Sequence, residues 1–164
     1  MKKIVIALIT LLLALNSSFA QNNRAFKQGY AGNLELSEMT VFGKDMYGGM
    51  LQVSTTHGYR TGTGAFVGLG VGLMYDMSLS GVAASTYLDG KYNFVNNAVS
   101  PYVSVRTGVR FGNGPTLSDF IDIAGGVDFS CFSVRLGYER NASIVNHSLL
   151  GKGNALFCSF AVAF

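Results

Sequence analysis

Apolar and polar residues alternate along most of the chain, in eight runs of about ten residues separated by stretches of turn-like composition. The run 26–38 sets Phe26, Tyr30, Leu34 and Leu36 in one phase and Lys27, Asn33 and Glu35 in the other. The run 50–60 opposes Leu51, Val53 and Tyr59 to Gln52, Ser54 and Thr56, and 63–76 opposes Val67, Leu69, Val71 and Leu73 to Gly68, Gly70 and Gly72. The run 82–94 has Val82, Ala84, Leu88, Tyr92 and Phe94 against Ser85, Tyr87, Asp89, Lys91 and Asn93. Runs 102–111 and 120–129 set Val103, Val105, Val109, Phe111, Ile121, Ile123, Val127 and Phe129 against Ser104, Arg106, Arg110, Asp122 and Asp128. The run 132–140 opposes Phe132, Val134, Leu136 and Tyr138 to Ser133, Arg135 and Glu139. The run 154–164 keeps Leu156, Cys158, Phe160, Val162 and Phe164 in phase. The apolar phase is read as free of charge throughout.

Alternation of this kind suits a soluble barrel with its apolar face inward or a membrane barrel with that face outward. Three features select the membrane. The polar phase is rich in Gly, Ala and Ser, which fits a crowded lumen better than a solvated surface. Aromatic residues of the apolar phase gather at run ends, Phe26, Tyr30, Tyr59, Tyr92, Phe94, Phe129, Phe132 and Phe164 towards one rim and Tyr75, Phe111 and Tyr138 towards the other. Each run has the length a tilted strand needs to cross the hydrocarbon. The predicted fold is therefore all-β, an eight-stranded antiparallel up-and-down transmembrane β-barrel. With the N-terminus on the inner side, short turns are expected near Thr61-Gly62, Asn96-Asn97 and Ser130-Cys131, and mostly longer outer connections near 39–49, 76–81, 112–118 and 141–153.

The period-2 glycines at 68, 70 and 72 exclude a dinucleotide fingerprint, which needs G-x-G-x-x-G opening a helix. In an eight-stranded barrel the third strand lies opposite the seventh, so this bare wall is expected to make room for Arg135 and Glu139.

The first twenty residues, MKKIVIALITLLLALNSSFA, read as a secretory signal peptide: a basic Lys2-Lys3 start, an apolar run from Ile4 to Leu15, and a small-residue site that places cleavage between Ala20 and Gln21. Residues 21–164 then form one barrel domain. Losing Lys2 and Lys3 leaves bases and acids nearly balanced, so nothing argues for nucleic acid. Charged residues make up only 13% of the chain against 49% hydrophobic, yet no second apolar stretch is long enough for a membrane helix. Strands are how so apolar a chain enters a bilayer. Cys131 falls in a turn and Cys158 in mid-strand, a poor placement for a disulfide. Two distant histidines and unrelated cysteines offer no metal site, and no cofactor is expected.

The segments STTHGYRTGTGAFVGLGVGLMYD, SPYVSVRTGVRFG and ALFCSFAVAF together resemble the small outer-membrane β-barrels of diderm bacteria, the porin-like and OmpA-type eight-stranded barrels. The resemblance implies export to the bacterial outer membrane and contact with its lipid and lipopolysaccharide. It also implies help from periplasmic chaperones and the barrel-assembly machinery, and a monomer. It makes Leu156, Cys158, Phe160, Val162 and Phe164 an assembly signal.

The candidate lumen network is Lys27, Lys91, Arg106, Arg110 and Arg135 against Glu35, Asp89, Asp122, Asp128 and Glu139, five charges of each sign. Arg106 and Arg110 are expected to meet Asp122 and Asp128, which in turn meet Arg135 and Glu139. Buried charges need partners, so the leading expectation is a salt-bridged plug in a non-enzymatic protein of the envelope or surface. A narrow porin-like channel for small solutes is the alternative. A third reading takes His147-Ser148 with Glu139, which resembles the outer-membrane lipid A deacylases, although that family spaces its pair His-x-Ser followed by Asn. No catalytic residue is assigned.

Overall fold

Each alternating run becomes a strand, and each strand pairs antiparallel with its sequence neighbour. The strands are β1 (Gly29–Phe42), β2 (Tyr47–Arg60), β3 (Ala65–Asp76), β4 (Gly81–Asn93), β5 (Val99–Gly112), β6 (Leu117–Phe129), β7 (Phe132–Ser143) and β8 (Gly153–Ala163). β8 returns to β1, from Asn33 opposite Ala163 to Phe42 opposite Asn154, and closes the barrel. The structure is a computed structural model, and it describes residues 27–42, 47–77, 80–112, 117–143 and 153–164. The leader, its cleavage point at Ala20 and Gln21, Phe26 and the pair His147-Ser148 lie outside the described residues.

The register fixes the geometry. From Ala31, ladder partners lead through Gly58, Gly68, Asp89, Arg106, Asp122, Glu139 and Ala155 back to Val41, ten residues further along β1. That stagger tilts the strands by roughly 35–45° and narrows the interior to the width of its side chains.

Burial follows the two phases. On β3 the glycines and Phe66 face inward, while Val67, Leu69, Val71 and Leu73 are more than half exposed. Similar exposed Val, Leu and Ile side chains continue around the barrel. Tyr30, Tyr59, Tyr92, Phe94, Phe129 and Phe164 are exposed at one end, and Tyr75, Phe111 and Tyr138 near the other. An apolar outer band between aromatic girdles is a surface built for lipid.

Four expectations change. The strands run further towards the outer end than the alternation suggests, because Met39, Val41 and Met50 point inward there and are buried. As a result the outer connections shrink to 43–46, 77–80 and 113–116, and only 144–152 remains long. The outward phase is not free of charge, since Glu38, Asp119 and Arg140 are exposed on it near the outer girdle, where a bilayer is polar. Finally, Val162 is outward but only 8% exposed, flanked by its ladder partners Leu34 and Phe132.

Candidate functional site: the charged lumen

The interior is assembled from inward positions of every strand, and the glycines define where large groups fit. A Cβ on Gly70 would collide with the Tyr87 ring, whose backbone and Cβ also crowd Gly108. The Phe66 ring lies in the same way over Gly58 and Gly68, the Tyr102 ring over Gly126 and the Phe157 ring over Gly137. The bare wall of β3 thus accommodates rings from its own sheet, Tyr87 above all. It does not receive Arg135 and Glu139 from the opposite side, because the adjacent ring fills the space first.

Three of those rings, and Phe120, carry cations. Arg106 stacks over Tyr87 at 5.0 Å, Arg110 over Phe120 at 4.2 Å, Arg135 over Phe157 at 4.7 Å, and Lys91 over Tyr102 at 3.8 Å. Tyr87 is held by Thr56 at 3.0 Å and Tyr102 by Ser133 at 2.7 Å, hydroxyl to hydroxyl. Arg106 and Lys91 thus lie on rings that are themselves held by hydrogen bonds.

At mid-height, Arg106 Nη1 and Nη2 donate to Glu35 Oε1 and Oε2 at 2.9 and 2.7 Å, a parallel fork across the barrel from β5 to β1. Its Nε lies 3.0 Å from Asp89 Oδ2. Arg135 donates to the same Glu35 at 3.0 Å and to Asp122 at 3.4 Å, and Ser37 adds a bond to Glu35 at 2.9 Å. Towards the outer end, Arg110 forks onto Glu139 at 2.5 and 2.6 Å and donates to Asn141 at 2.6 Å. Beside that group Met39, Val41, Met50, Met74, Ala83 and Ala155 form a buried apolar cluster. Towards the inner end, Lys91 meets Asp128 at 2.6 Å, and Asn93 donates to the other oxygen of that carboxylate at 2.7 Å.

The sequence gathers the right charges but pairs several of them differently. Arg106 and Asp122 are ladder partners, yet the guanidinium turns to Glu35 and Asp89, because an arginine can span a lumen this narrow. Asp128 answers to Lys91 rather than to Arg106 or Arg110, whereas Asp122 lies against Arg135 of the adjacent strand, one of the neighbours the sequence offers it. Glu139, far from joining a lipid-side nucleophile, is 2% exposed and faces inward onto Arg110. Lys27 precedes β1 and is exposed at the inner mouth instead of lining the wall. Two inward charges escaped the sequence reading, Arg60 at the inner end of β2 and Asp76 at the outer end of β3. The phase of Ser54 and Thr56 already points Arg60 inward.

A cavity of about 220 Å³ opens at the inner mouth and reaches Glu35, Asp89 and Arg106. Above that layer, the void among Gln52, Arg110, Asp122 and Phe157 has only about 10 Å³, room for about one water. Outside the lumen, His57 sits on the outward face at the inner rim, bonded by Tyr30 and 3.1 Å from Thr55, with the Phe164 ring edge-on at 5.8 Å. Cys131 in the inner turn and Cys158 on the outward face of β8 are both free thiols. No cluster of metal-ligating side chains occurs among the described residues.

No family model matches the chain, and no characterised protein matches it by sequence. Solved structures do match. The outer membrane enzyme PagL superposes with a TM-score of 0.65 at 13% identity, covering 79% of this chain and 98% of that one. Neisserial surface protein A superposes with a TM-score of 0.65 at 14% identity, covering 82% and 95%. The N-terminal β-barrel domain of Pseudomonas aeruginosa OprF gives 0.50 at 14%, covering 84% and 100%. The closed eight-strand register, the apolar outer band and these likenesses agree: the chain has the fold of the small outer-membrane β-barrels.

Proposed function

We propose that the protein is a non-enzymatic component of the bacterial outer membrane. In this reading it is delivered by the cleaved leader, inserted by the barrel-assembly machinery, and works as a monomer in contact with lipid and lipopolysaccharide. Its lumen is a plug, and its contribution is to envelope integrity or to surface contact. The observation that carries the plug is the bidentate Arg106–Glu35 bridge, which joins opposite walls at mid-height. Buried forked pairs of this kind are costly to break. The engagement of Glu139 by Arg110 supports the absence of a lipid-side hydrolase, because the carboxylate such a site would use is already committed inside.

The reading is tested in two assays. Liposomes carrying the purified barrel should swell in small sugars or amino acids no faster than empty ones, and cells lacking the protein should become more sensitive to detergents with unchanged lipid A acylation. Rapid swelling would favour the narrow channel, for which the inner cavity is the supporting feature. An altered acyl pattern would favour the hydrolase.

A further inference from the structure

The lumen charges balance overall but not along the axis. At the inner mouth Lys27, Arg60 and Lys91 all border the open cavity. The carboxylates there are engaged, Glu35 by Arg106 and Arg135, Asp128 by Lys91, and Asp89 by Arg106 through Oδ2 alone, its Oδ1 having no hydrogen-bond partner. Lys27 and Arg60 have no carboxylate within ion-pair distance among the described residues. Arg60 Nε is in addition a buried donor without a hydrogen-bond acceptor. An unsatisfied buried donor carries a desolvation cost that an arriving acceptor relieves.

We propose that this mouth is a binding pocket, open to the periplasm, for a small doubly charged oxyanion of the phosphate class, gripped by Arg60 and Lys27. The cavity of about 220 Å³ lies below the roughly 300–1,000 Å³ of pockets for drug-sized ligands. It therefore admits a phosphate with its first waters and excludes a nucleotide. The forked donors of Arg60 suit a tetrahedral oxyanion, and Lys27 adds a mobile point charge. The acids of the floor are drawn away from these cations, Glu35 by Arg106 and Arg135 and Asp128 by Lys91. Among the described residues the outer end offers no comparable site: its inward guanidinium, Arg110, already holds Glu139 and Asn141. The pocket is independent of whether the lumen conducts, since it needs only the inner mouth.

The probe is inorganic phosphate, titrated calorimetrically into the full barrel folded in uncharged detergent, with the boiling-dependent gel shift as the check on folding. Saturable one-to-one binding is expected, weakening as salt rises. Arg60→Gln should weaken it by about tenfold or more, and Lys27→Gln by several-fold. Arg60→Lys should retain part of the affinity, and Arg140→Gln, at the outward outer end, should retain all of it. Repeating the titration in bilayers containing phosphatidic acid, whose headgroup is a phosphomonoester, separates two sources of the same chemistry: unchanged binding assigns a free periplasmic anion, and loss by competition assigns a lipid headgroup. No saturable heat up to about 10 mM phosphate, or equal affinity in a folded Arg60→Gln variant, overturns the site.

Discussion

Arg106 and Glu35 join opposite walls of the barrel through two parallel N–H···O bonds of 2.9 and 2.7 Å, and Arg135 donates to the same carboxylate at 3.0 Å. Glu35 thereby serves two guanidiniums, so its removal leaves both buried and short of a partner. Glu35→Ala is expected to cost about 3–5 kcal/mol, measured by reversible urea unfolding in lipid vesicles. A loss below about 1 kcal/mol would mean that the bridge is solvated, as surface pairs are.

Arg110 and Glu139 form a second fork, with Asn141 bonded to both. A double-mutant cycle on Arg110→Met and Glu139→Gln should give a coupling of about 0.5–3 kcal/mol. The joint variant should then be more stable than the two single losses imply, because neither charge is left stranded.

The space over Gly70 belongs to Tyr87. Gly70→Leu should therefore displace that ring and cost about 1–3 kcal/mol, seen as loss of the heat-dependent gel shift at a lower temperature. In the Tyr87→Ala background the same substitution should cost much less. Equal penalties in both backgrounds would show that something other than Tyr87 bounds the glycine.

Lipid exposure is depth-dependent. Val71 is outward at mid-height, between its ladder partners Thr55 and Thr86, while Val99 opens β5 at the inner end. Val71→Arg should cost about 2–4 kcal/mol and Val99→Arg no more than about 1, both by unfolding in vesicles. Equal costs would contradict the membrane depth assigned to these positions.

The two free thiols give a topological test. Cys158 faces outward on β8 and should react with a membrane-soluble maleimide but resist a charged one. Cys131, in the inner turn, should react with the charged reagent only when the periplasmic side is open to it. Labelling of Cys131 on intact cells would invert the orientation.

Much of this architecture could be read from period 2 alone. Strand identity, phase and the two aromatic girdles follow because a chain facing lipid on one side and a packed lumen on the other must alternate. The outer strand ends were harder to place, because Met39, Val41 and Met50 put apolar side chains on the inward phase and so erase the contrast that marks a strand. Ion-pair partners were legible only as a set. Ladder register places Arg106 beside Asp122, but side-chain length and the Tyr87 ring decide that it reaches Glu35. Arg60 is inward by phase, but what sets it apart, the cavity beside it and its unengaged donor, depends on three-dimensional packing that phase does not encode.

The central claim is that cross-lumen pairing closes this barrel, and conductance tests it most directly. The purified protein in planar bilayers should show no stable unitary steps, whereas Glu35→Ala in a folded barrel should introduce flickering ones. Regular steps from the unmodified protein, insensitive to substitution at Glu35 and Arg106, would contradict the account.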